Sequence, residues 1–107
     1  MKIVNRESFL AMPVNTVFAK YEPCVFYEIC IKGESSGDDF IFSTILDTIV
    51  DPGLNSTIFG RYLAEGPSFP LALDVMQRDG CFDEYQLFAV FEKQDVEMLI
   101  ERLQKCL

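Results

Sequence analysis

Nucleophiles set the first question, and the candidates are Cys24, Cys30, Cys81 and Cys106 in a chain of 107 residues without a histidine. A cysteine attacks as its thiolate, which needs a nearby cation or a helix N-terminus to form at neutral pH. Cys24 and Cys30 lie in an apolar run, and Cys81 precedes Phe82, Asp83 and Glu84, whose charge opposes ionisation. Cys106 falls near the C-terminal end of a predicted helix, the wrong pole of its dipole. The missing histidine removes the Ser-His-Asp and Cys-His relays together with the His-ligated metal sites. With no C-x-x-C pair, a metal site would need all four cysteines to converge. Carboxylate pairs support glycoside hydrolysis, but seventeen acids offer no selective spacing. Neither a G-x-x-x-x-G-K-[ST] loop nor a G-x-G-x-x-G turn is present. The run Asp79-Gly80-Cys81-Phe82-Asp83-Glu84 sets acids beside a glycine but lacks the alternating oxygen ligands and distal Glu of a calcium loop. The expectation is a protein that is not an enzyme, with no catalytic residue, cofactor or metal.

Charge then becomes the main handle on function. Seventeen acids against nine bases give a net charge of −8, and the bases are scattered singly apart from Arg102 and Lys105. Phosphate binding requires a concentrated basic surface, so direct nucleic-acid contact is not expected. Ten Phe residues could offer a stacking platform, but such platforms come with basic grooves. Most are therefore assigned to the core. Phe69, within Gly66-Pro67-Ser68-Phe69-Pro70, and Phe82, between a turn and two acids, are predicted to be exposed. An exposed aromatic beside acids can anchor a partner. The candidate partner-binding residues are Glu34, Asp38, Asp39, Phe69, Asp79, Phe82, Asp83 and Glu84, and they would meet a protein with a basic surface. The alternative is a small-molecule or nucleotide-binding module with a cleft lined by Phe and Tyr.

Positioning these residues requires a sheet. The chain length suits one domain over 1–107, and composition places it among globular proteins. Lys2 to Val4 reads as a strand, and Arg6 to Met12 as a helix capped by Asn5. Val17 to Tyr21 and Cys24 to Lys32 read as extended runs, the second with Val25, Tyr27, Ile29 and Ile31 facing the core. Gly33 to Asp39 reads as a surface loop. Phe40 to Thr44, Leu71 to Met76 and Gln86 to Phe91 read as strands, with Arg78-Asp79-Gly80 as a turn. A short helix from Asn55 or Ser56 carries Ile58, Phe59, Tyr62 and Leu63. From Glu92 onward Val96, Leu99, Ile100, Leu103 and Leu107 recur at helical spacing. Strands in mixed order with helices predict an α+β fold: a mainly antiparallel sheet, an amphipathic C-terminal helix packed on one face, and one or two short additional helices.

No signal-peptide or membrane segment is evident, so the expected location is the cytoplasm, where cysteines remain reduced and mostly buried. Ile3-Val4-Asn5-Arg6-Glu7-Ser8-Phe9-Leu10-Ala11-Met12-Pro13 with Thr16-Val17-Phe18-Ala19-Lys20-Tyr21-Glu22-Pro23 resembles the start of small acidic bacteriophage and prophage proteins. The segment Arg78-Asp79-Gly80-Cys81-Phe82-Asp83-Glu84-Tyr85-Gln86-Leu87-Phe88-Ala89-Val90-Phe91-Glu92 resembles the same group. The resemblance implies a context in the bacterial cell and a non-enzymatic accessory role, in which the protein occupies the surface of a host protein and modulates a host or defence function.

Overall fold

Alternating apolar residues need two faces to hide, and the computed structural model meets that need with one antiparallel sheet. It describes residues 1–23, 25–45, 73 and 75–107. The strands are β1 (Lys2–Val4), β2 (Val17–Glu22), β3 (Val25–Phe26), β4 (Cys30–Ser36), β5 (Asp39–Thr44), β6 (Gln77–Arg78) and β7 (Leu87–Val90). Their order is β1-β7-β2-β4-β5-β6, with β3 paired to β2. Helix α1 (Arg6–Leu10) and helix α2 (Lys93–Gln104) complete an α+β fold.

Helix α1 begins where expected, because Asn5 is extended and its side chain accepts from the Ser8 N–H at 2.9 Å. Its five residues place Phe9 over the sheet, fully buried, with its ring stacked on Phe88 at 4.0 Å and in edge contact with Phe40 at 4.9 Å. Phe18, Val4, Cys30 and Val90 fill the rest of this layer. Such aromatic clusters combine large buried area with favourable ring geometry.

Several expectations need correction. The run from Cys24 to Lys32 is two strands, not one, since β3 ends at Phe26 and β4 begins at Cys30. Tyr27 is exposed, whereas Cys30 and Lys32, on the opposite phase, point into the phenylalanine layer. Lys32 is only 2 % exposed. Its four-carbon stem packs like an apolar side chain, its ammonium donates to the Gly33 carbonyl at 3.0 Å, and the Phe9 ring lies 5.8 Å away. The predicted loop from Gly33 to Asp39 is mostly strand, and only Gly37 and Asp38 turn. Gly37 supplies the positive φ of 59° that so tight a hairpin requires. Near Leu71 to Met76, pairing falls later, on Gln77 and Arg78, while Leu73, Val75 and Met76 lie outside any strand. Cys81 and Cys106 are exposed; Cys30 is buried, and desolvation pushes its thiol up to about 12, which keeps it protonated. The helix predicted from Asn55 or Ser56, Cys24 and Phe69 lie outside the described residues.

Helix α2 forms as its periodicity demands. Its first turn is pinned by Asp95, which accepts from the Glu92 N–H at 2.8 Å and pairs with the Met1 ammonium at 2.7 Å. That contact raises the ammonium pKa and lowers that of Asp95. The apolar stripe is less covered than expected: none of its residues is fully buried, Val96 and Leu99 are half-buried, and Ile100 and Leu103 are exposed. The helix follows β7 after a two-residue connection; its first turn is tied to Met1, and residues 100–107 are exposed.

Candidate functional site

Two acidic stretches separated by forty residues of sequence come together at one end of the sheet. Pairing of β5 with β6 brings this about, because the Asp79 N–H donates to the Phe40 carbonyl at 2.9 Å and fixes 79–84 beside the β4–β5 turn. The start of α1 closes the third side, since the Arg6 guanidinium donates to the Asp38 carbonyl.

Within this junction the acids divide into two layers. Asp79 forms the inner one: its carboxylate is 0 % exposed, receives Lys20 Nζ at 2.6 Å and Arg6 Nη1 at 3.2 Å, and so ties β2 and α1 to the segment after β6. Asp39 joins it, accepting from Arg78 Nε and from the Gly80 N–H at 2.9 Å. The Arg78 contact first, and the Gly80 N–H next, hold the Asp39 carboxyl down at about 2. Both residues were candidates for a partner surface, but the fold takes them in, for a buried carboxylate must be paired.

The outer layer is open to solvent. Glu34, Asp38, Asp83 and Glu84 are exposed, and none makes an ion pair with a described residue. Asp83 uses one oxygen to accept from the Tyr85 N–H at 2.9 Å, shaping the turn that ends the loop. Phe82 stands among them, 52 % exposed. Its backbone holds a φ of 52°, a left-handed conformation that is costly for a bulky residue and turns the ring outward beneath the Arg78 guanidinium, 5.5 Å from the ring centre. Gly80, with φ 65°, makes the preceding bend.

Phe82 lines two cavities. One, of about 420 Å³, is walled by Arg6, Glu7, Leu10, Asp38, Glu84 and the Asn5 side of α1. The other, of about 320 Å³, is walled by Glu34, Phe40, Ile41, Asp39 and Arg78. Both cationic walls are neutralised by inner-layer carboxylates, Arg6 by Asp79 and Arg78 by Asp39. Glu7 and Leu10 entered no sequence-derived site, and helix α1 meets the β4–β5 turn only in the fold. Among the described residues no group of three or more His, Cys, Asp or Glu is arranged to hold a metal ion. No described helix is long and apolar enough to cross a membrane. No family model, curated protein or solved structure matches this chain.

Proposed function

We propose that the protein is a non-enzymatic binding protein, whose acid-rimmed Phe82 face docks on a basic surface of a protein partner. The observation that carries this reading is the convergence of 34–39 and 79–84 around an exposed aromatic whose cationic neighbours are already neutralised. Unpaired carboxylates steer and select a basic partner, and the phenylalanine supplies the desolvated anchor on which affinity concentrates. The resemblance to phage and prophage proteins supplies the setting, a host protein in a bacterial cell. A small-molecule site is less well supported, because such pockets are lined mostly by apolar groups, whereas Glu7, Asp38 and Glu84 line the larger cavity.

The test is capture from bacterial lysate by the immobilised protein, set beside capture by Phe82→Ala. A partner retained at low salt, released as ionic strength rises and absent from the variant supports the proposal. Identical capture by both proteins contradicts it.

A further inference from the structure

The outer carboxylates of the Phe82 face have no counterion among the described residues of their own molecule, and the exposed bases left without an acid gather mainly in one place. Lys93 pairs with Glu97 and Arg78 with Asp39, whereas Lys2, alone on β1, and Arg102 and Lys105, one turn apart near the end of α2, pair with no carboxylate among the described residues. The same turns of α2 carry Ile100 and Leu103, 52 % and 65 % exposed. Arg102 Nη1 lies 3.3 Å from Cys106 Sγ, and Cys106 neighbours Leu103 one turn away, so the guanidinium runs along the edge of the apolar stripe. A net charge of −8 holds two copies apart wherever acid meets acid. The end of α2 is where the described surface turns basic and apolar together.

We propose that the protein self-associates, the exposed end of α2 from one copy docking on the Phe82 face of a second. The inference goes beyond the host-protein reading and does not rest on it. Charge complementarity names the occupant: Arg102 and Lys105 meet Asp38, Asp83 and Glu84, while Ile100 and Leu103 cover the Phe82 ring, which is still 52 % exposed beside Arg78. Opposite charges steer and orient the approach, and the apolar contact at its centre holds it. In a two-fold pair the contact is made twice, α2 of each copy on the face of the other. A host protein and a second copy then compete for one face.

Sedimentation equilibrium of the purified protein, over a concentration series reaching about 1 mM, reads the association directly, and a reversible dimer is expected. Reversing the helix end, Arg102→Glu with Lys105→Glu, or the face, Asp38→Lys with Glu84→Lys, should weaken it about tenfold or more, and the neutral change Leu103→Gln should do the same. All five positions are exposed, so circular dichroism and urea unfolding should show every variant folded. The decisive arm mixes the two reversed proteins in equal amounts. Each helix end then faces opposite charge again, and a heterodimer should form although neither variant associates alone. A protein monomeric throughout the series, growth beyond the dimer, association that survives either reversal, or a mixture that stays monomeric would overturn the proposal. Failed lysate capture beside a dimer restored by mixing contradicts the host-protein reading alone; capture without self-association contradicts this one alone.

Discussion

Asp38 and Asp39 are adjacent in the chain, and Asp79 and Asp83 are four residues apart, yet the members of each pair have opposite fates. Asp39 and Asp79 are closed in by Arg78, Arg6, Lys20 and the Gly80 N–H, whereas Asp38 and Asp83 face water. Asp38 lies in the turn while Asp39 opens β5, and the bend at Gly80 separates the second pair. One composition thus serves two ends: inner carboxylates assemble the platform, and outer ones give it a charged face. Inner substitutions should therefore damage folding, and outer ones binding alone.

The largest effect should come from Asp79→Ala, which leaves Arg6 and Lys20 beside a vacancy. Losing one partner of a buried charge cluster costs about 3–5 kcal/mol, to be read from urea unfolding. Asp39 gives a pH signature instead. Its folded-state pKa is depressed to about 2, so the stability it contributes is complete above about pH 4 and is lost as pH falls through 2. Asp39→Asn should flatten the stability curve across that window, as measured by acid titration of thermal unfolding.

Lys32 tests the inner layer with the opposite charge. Burial lowers its pKa below 10.5, so the unfolded chain binds the proton more tightly and stability should rise with pH up to about 10.5. Lys32→Met should raise the urea midpoint at pH 7 and abolish that alkaline rise, since an apolar side chain of similar size replaces a charge without a carboxylate partner among the described residues. The smallest effects belong to the rim: Glu34→Gln, Asp38→Asn and Glu84→Gln should each shift stability by no more than about 0.5 kcal/mol, while weakening partner capture at low salt.

Much of this architecture is legible in the sequence, for reasons that also explain the failures. Asn5 announces α1 because its side chain satisfies an orphan N–H, and the spacing from Val96 to Leu103 announces α2 because only a helix places those residues on one stripe. The α+β class followed from the mixed order of such signals. Periodicity failed at Cys30 and Lys32, where a lysine stem packs as an apolar group and the odd positions Tyr27, Ile29 and Ile31 are the less buried ones. It also overstated the hold on α2: five-residue α1 buries Phe9 completely, whereas twelve-residue α2 leaves Ile100 and Leu103 exposed. A stripe shows which side of a helix is apolar, and its cover is set by tertiary geometry.

At the candidate site, composition marked the acidic segments and Phe82, but it could not separate Asp39 and Asp79 from their exposed neighbours. That distinction depends on Arg6, Lys20 and Arg78, which reach the two carboxylates from 39 to 73 residues away in the sequence. Glu7 and Leu10 were missed because helix α1 joins the cavity only after folding against the β4–β5 turn.

The central claim is that a particular face, not net charge, makes the partner contact. Its most direct test compares two double charge reversals of equal net charge, Asp38→Lys with Glu84→Lys on the Phe82 face, and Glu97→Lys with Glu101→Lys on α2. Binding of the captured partner is then measured for each across a salt series. The face reversal should abolish binding at low salt while the helix reversal retains it; equal weakening by the two would contradict the claim.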